Sequence, residues 1–119
     1  VLVFSRTAGY RHPSIVDGVA ALSSVARGLG YEVVASEDPS RFTDGELSRY
    51  AAVVFLSTSG DVLDDRQQAA FERYIEAGGG YVGVHAASDT EYGWPWYGRL
   101  VGAWFADHPL VPNAEFVDC

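Results

Sequence analysis

The stretch GGGYVGVHAASDT, residues 78–90, decides how this chain folds. Three glycines stop one element, an apolar run over residues 81–85 suits a buried strand, and the run then breaks into Ser88, Asp89 and Thr90. In an open parallel sheet, ligands bind in the crevice beyond the C-terminal strand ends. A strand that delivers a polar cluster to that end therefore makes His85 and the residues after it the first candidates for chemistry.

Working outward, the same alternation of short apolar runs and amphipathic stretches covers the rest of the chain. Residues 1–5 (VLVFS) suit a buried strand, followed by a polar loop over residues 6–12. Pro13 fits the first turn of a helix in which Ile15, Val19, Leu22, Ala26 and Leu29 form an apolar face and Gly30 the stop. Residues 31–36 (YEVVAS) read as a second strand, and Thr43 with Glu46 has capping-box spacing for a short helix ending near Tyr50. Residues 51–58 (AAVVFLST) are apolar enough to need cover on both faces, which marks a central strand. After a turn at residues 59–61, Asp64 and Asp65 sit where a helix start favours negative charge, and Ala70, Phe71, Tyr74 and Ile75 mark that helix's buried side. An aromatic segment over residues 92–96 leads into a short helix near residues 96–101, and residues 114–117 read as a further strand. Strands alternating with helices at this spacing imply right-handed βαβ crossovers. The expected fold is a three-layer α/β/α parallel sheet of order 2-1-3-4, flavodoxin-like, with loops 6–12, 57–61 and 85–90 meeting at one edge.

Composition sets limits on function. The 119 residues, 48% hydrophobic and 13% aromatic, suit a single domain with a real core. With a net charge of -8 and no lysine, the chain offers no basic face for a nucleic-acid backbone. Its one cysteine, Cys119, excludes a disulfide framework within the chain and a Cys-rich zinc cluster. No apolar run reaches membrane-spanning length and no targeting segment is visible, so the compartment stays open between the cytoplasm and secretion as part of a longer protein. A single domain over residues 1–119, cut short at its C-terminal end and belonging to a longer parent chain with further domains, is the expected organisation.

Three blocks carry a family resemblance: VFSRTAGYRHPSI, VVFLSTSGDVL and FERYIEAGGGYVGVHAASDTEYGWPWYGRLVGAWFADHP. Together they span nearly the whole chain and resemble the ThuA-like (trehalose utilisation) family of the class I glutamine amidotransferase-like superfamily. The resemblance implies the same flavodoxin-like sheet and a role in sugar metabolism of the trehalose or keto-disaccharide type. It also gives Gly83-Val84-His85-Ala86-Ala87 a meaning, because amidotransferases of this superfamily place a cysteine nucleophile in a G-x-C-x-G turn after a strand, and here His85 takes that seat. An imidazole cannot form the glutamyl thioester that a thiolate forms, so glutaminase activity is not expected. Ser88 as a substitute nucleophile lies three residues beyond the elbow with no identifiable base.

Each candidate residue has a plain structural reading beside the functional one. His85 is either a packed strand-end histidine or a ligand-facing acid, base or metal ligand, and the strand end favours the second. His12, a second candidate for catalysis, and Arg11 follow the first strand at the crevice, but His12 could equally terminate the next helix. Thr58, Asp61, Ser88, Asp89 and Thr90 would bind sugar hydroxyls or cap turns. Trp94 and Trp96 would stack on a sugar ring or pin a loop beside Pro95. His108 joins His12 and His85 as candidate ligands of a divalent metal only if Gly102 stops the preceding helix early enough for the chain to return; no cofactor is certain. The partner expected is a small-molecule sugar, with neither nucleic acid nor membrane. Three functions compete: a carbohydrate-active enzyme using His85, a non-catalytic carbohydrate-recognition module, and a flavin binder, the last because residues 5–12 (SRTAGYRH) are loosely similar to a hydroxyl-rich phosphate loop.

Overall fold

The computed structural model describes residues 1–108. Four parallel strands, β1 (Leu2–Phe4), β2 (Val34–Ser36), β3 (Ala52–Leu56) and β4 (Gly80–Val84), form one sheet of order β2-β1-β3-β4. They alternate with helices α1 (Ile15–Gly28), α2 (Asp44–Leu47), α3 (Asp65–Glu76) and α4 (Pro95–Val101). The order matches the sequence reading. The strand read over residues 114–117 lies outside the described residues.

Alternation along the strands sorts the core into two layers. Leu2, Phe4, Val53 and Phe55 point to the side of α2, α3 and α4, where they meet Phe42, Leu47, Phe71, Trp94 and Tyr97 in one buried cluster. Val3, Val54 and Leu56 point the other way, against Val19 and Leu22 of α1. Both faces of β3 are thus covered, as its unbroken apolar run requires. The α1 layer is thinner: Leu29, read as part of the apolar face, instead caps the helix end after Gly28 and is 72% exposed.

Several boundaries shift from the sequence reading for physical reasons. β2 keeps only three residues because it is an edge strand whose partner β1 offers only three. Ser14, not His12, precedes α1, which frees the His12 side chain from capping. At Thr43 only half of the capping box forms: the hydroxyl accepts from Glu46 N at 3.2 Å, while the Glu46 carboxylate turns to Arg41 and Arg49. The complete box stands at Asp64 and Gln67, whose side chains satisfy each other's backbone N–H at the start of α3.

Candidate active site at the C-terminal edge of the sheet

The loops after β1, β3 and β4 do not splay apart; they continue the sheet. Thr7 bridges Ser59 and Gly60 bridges Thr90, both in parallel sense. Ala8 N donates to Ser59 O at 2.7 Å, Gly60 N to Asp89 O at 2.9 Å, and Ser59 Oγ to Tyr10 O at 2.6 Å. Gly60 has φ +70, and a Cβ there would stand 3.0 Å from Gly9 N, so this close approach requires glycine. The three loops that the sequence brings to one edge are therefore laced into a single floor.

Beyond β4 the chain turns sharply into a 3-10 segment, His85–Asp89. His85 itself has φ +51, a left-handed conformation that a side chain as large as imidazole adopts at a cost. This turn is held from beneath. The Tyr97 hydroxyl donates to Ala87 O at 2.7 Å and meets the Tyr81 hydroxyl at 2.9 Å; burial pushes the pKa of both phenols up, so they remain neutral donors. Thr58 and Thr90 meet through their hydroxyls at 2.8 Å, both fully buried, and Thr90 can also donate to Ala86 O.

Glu91 is a buried residue of the elbow that sequence reasoning missed. It is 1% exposed, and its carboxylate accepts from Val62 N and Leu63 N, each at 2.8 Å, and from Gln68 Nε2 at 2.8 Å. Burial raises its pKa, opposed by the three donors, which favour the charged form. A single side chain at φ +55 thus ties the elbow after β4 to the start of α3. A charged residue between Thr90 and Tyr92 reads as surface in one dimension, and only the convergence of three donors reveals it as buried.

On the upper side of the elbow lies a cavity of about 480 Å³. His12, His85 and His108 line it together with Ser88 and Asp89. Tyr10 and Phe105 add aromatic wall, and Ala86 adds a small apolar patch. The two histidines nearest the sheet meet through like atoms, His85 Nε2 to His12 Nε2 at 3.1 Å, with ring planes 80° apart. Tyr10 and His12 pack in a T-shaped contact, centroids 4.8 Å apart. The pKa of His12 is lowered, first by desolvation and then by His85, with Asp89 pulling the other way. Asp89 is itself engaged by the Tyr92 hydroxyl at 2.7 Å, which also reaches Phe105 O at 2.7 Å; donation to Asp89 pushes the Tyr92 phenol up to about 12.

His108 arrives by the route that an early helix stop permits. α4 ends at Val101, Gly102 reverses direction at φ +91, and Phe105 N donates to Ser88 O at 2.9 Å. Trp104 lies over Gly98, where a Cβ would meet its ring at 2.6 Å, and its Nε1 donates to Thr90 O at 3.0 Å. The return segment is thereby pinned to the elbow.

The remaining sequence candidates stand elsewhere. Arg11 turns from the cavity to Glu37 at 2.6 Å, and Asp61 is exposed outside it. Thr58 and Thr90 are buried beneath the elbow rather than at its surface. Trp94 is 7% exposed, stacked on Trp96 at 5.1 Å and on Tyr97 at 5.7 Å, with Nε1 donating to Glu72 at 2.8 Å; both tryptophans pack in or against the core, not in the cavity. The aromatic surface of the cavity comes from Tyr10 and Phe105, neither of which sequence reasoning named; the adjacency of Tyr10 to Arg11 and His12 was the available signal. Among the described residues, no group of three or more His, Cys, Asp or Glu converges as a metal-ligand set. No helix among them is long and apolar enough to cross a membrane.

Comparison with known proteins agrees with this architecture. A ThuA-like protein from Bacteroides uniformis ATCC 8492 superposes with a TM-score of 0.65 at 25% identity, covering 85% of this chain and 43% of that one. The chain therefore spans less than half the length of this solved relative. No curated protein matches. Over residues 1–118 the sequence matches the family described as ThuA, trehalose utilisation, and the chain belongs to that family.

Proposed function

We propose that the cavity binds a neutral sugar of the trehalose or keto-disaccharide type, and that His85 meets one of its oxygens as proton donor or acceptor. The observation that carries this reading is the His12–His85 pair at 3.1 Å, at the C-terminal strand edge, in a cavity walled by Tyr10 and Phe105. A neutral imidazole offers one N–H and one lone pair, which suits hydrogen bonding and proton exchange with a sugar hydroxyl or carbonyl. Aromatic walls suit the C–H faces of a sugar ring. Among the described residues no arginine lines the cavity, Arg11 being drawn away to Glu37, which favours a neutral ligand over a sugar phosphate. Glutamine hydrolysis remains disfavoured, since His85 holds the elbow where a thiolate nucleophile would be needed.

A second reading, a carbohydrate-recognition module without turnover, has its own support: Asp89, a carboxylate lining the cavity, is taken up by Tyr92 and, among the described residues, makes no hydrogen bond to His12 or His85. The chain would then act as a binding element of a longer parent protein. Titration with trehalose and with a keto-disaccharide, followed by product analysis, separates enzyme from module. His85→Ala tests the site itself. The expected outcome is a melting temperature nearly unchanged, because His85 is exposed, with loss of sugar binding or turnover. A destabilised variant that still binds sugar fully would overturn the assignment.

A further inference from the structure

The contact between His12 and His85 is made by two Nε2 atoms, so one ring gives a hydrogen and the other supplies a lone pair. A neutral imidazole carries one N–H and one lone pair, which means that the direction of this bond fixes both tautomers. If His12 accepts at Nε2, its proton sits on Nδ1; if it donates, Nδ1 is bare. That nitrogen is buried with no hydrogen-bond partner among the described residues. An orphaned buried N–H is rarer and costlier than an under-used acceptor, so the bare form is favoured.

From this we infer that His12 donates its Nε2–H to His85 Nε2, and so holds His85 as the neutral tautomer with its proton on Nδ1. His12 is then a positioning residue, and His85 the residue that faces the ligand. The inference rests on reading the cavity as a ligand site, and it sharpens that reading. The His85 nitrogen left for a ligand is an N–H, so the group it recognises is an acceptor: a carbonyl or hydroxyl oxygen, not an ammonium or amide N–H. A neutral imidazole N–H can polarise a carbonyl while keeping its proton. The surroundings fit an uncharged pair. Tyr10 meets His12 in a T-shaped contact from the loop after β1, Ser88 and Asp89 lie on the 3-10 turn, and Phe105 and His108 come from the segment after α4. Asp89, the carboxylate among these, accepts from Tyr92. Burial of His12 beside a second imidazole also disfavours its charged form.

Long-range proton–nitrogen correlation spectra of the nitrogen-15 labelled protein, recorded at pH 8 without ligand, read both tautomers directly. The expected spectrum shows a protonated Nε2 and a bare Nδ1 for His12, with the reverse for His85. Two variants add a readout that a merely structural role would not move. His12→Gln keeps an amide donor near the Nε2 position and should preserve the Nδ1–H form of His85; His12→Leu removes the donor and should release His85 to the Nε2–H form that solvated imidazole prefers. A His12 protonated on Nδ1, averaged tautomer shifts at both rings, or identical His85 tautomers in the Gln and Leu variants would each overturn the inference. Since no sugar is present, a failure here is distinct from failure of the cavity to bind trehalose, which would instead count against the proposed function.

Discussion

The two sides of the elbow after β4 are built from different materials. Beneath it, Thr58, Thr90, Glu91 and Tyr97 are all at or below 1% exposure, and every polar group they bring is matched by a partner from another element. Above it, His85 shares the left-handed φ of Glu91 but is exposed, and among the described residues its side chain hydrogen-bonds to another imidazole alone. On the function proposed above, stability is held beneath the elbow and ligand chemistry lies above it. A fully satisfied polar network in a low-dielectric interior holds one arrangement firmly, and a strained residue persists only where such surroundings over-determine it. Substitutions below should therefore be read out as stability, and substitutions above as binding.

The largest effect is expected at the base of the lower side. Phe55 is fully buried, with Tyr97 and Phe71 at centroid distances of 5.6 and 5.4 Å. Phe55→Ala should cost roughly 3–5 kcal/mol through lost transfer energy and the cavity left behind. Denaturant unfolding checks this; a loss under about 1 kcal/mol would mean that the floor of the elbow is not what holds it.

Glu91 ranks next. Glu91→Ala should cost roughly 2–3 kcal/mol, because Val62 N and Leu63 N are left buried without an acceptor. Glu91→Gln should be close to neutral at pH 7, as its carbonyl can still accept both N–H groups and Gln68 can turn its amide. The pH dependence carries a definite sign. The folded-state pKa of Glu91 is raised above its ordinary 4.5, so its contribution is most favourable below that value and declines as pH rises through the folded pKa. Glu91→Gln should flatten that decline in a series of unfolding curves.

How much of this could be read in one dimension follows the same division. Strand order and the meeting of three loops were legible, because apolar runs such as AVVFL in β3 and the Gly-rich stop before β4 are local signals. His12, His85, Ser88, Asp89 and His108 were legible as cavity residues, since each follows a strand end or a return that the chain length permits. Glu91 and the true setting of Trp94 were not. The first depends on donors 23 to 29 residues away in sequence, and the second on whether a Pro-flanked aromatic turns inward to Phe71 or outward to solvent. Such choices are made by packing partners, which periodicity does not encode.

A smaller effect separates His12 from the lower network. Its pKa is lowered below the ordinary 6.5, chiefly by desolvation, so the unfolded chain takes up a proton before the folded one does. The stability associated with neutral His12 is present above pH 6.5 and is lost as pH falls through the folded pKa. The wild type should therefore lose more stability than His12→Gln between pH 7.5 and pH 5, a comparison of two melting series in which all other titrating groups are shared. Equal slopes would place His12 in a fully hydrated setting and weaken the contrast between the two sides.

The smallest expected change in stability belongs to His85, and it tests the contrast most sharply. A non-glycine residue in the left-handed region costs roughly 1–2 kcal/mol, which glycine does not incur, whereas glycine loses roughly 0.5–1 kcal/mol through its more flexible unfolded chain. Among the described residues, the exposed imidazole contributes one hydrogen bond, to His12, and no core packing. These terms nearly cancel, so His85→Gly should melt within a degree or two of the wild type, or slightly above it, while losing sugar binding. Retention of a strained histidine where glycine would fit as well would then be explained by what the side chain does for a ligand. A clear drop in melting temperature for His85→Gly would show instead that the imidazole helps to hold the elbow, and the division between a stabilising underside and a functional upper side would no longer stand.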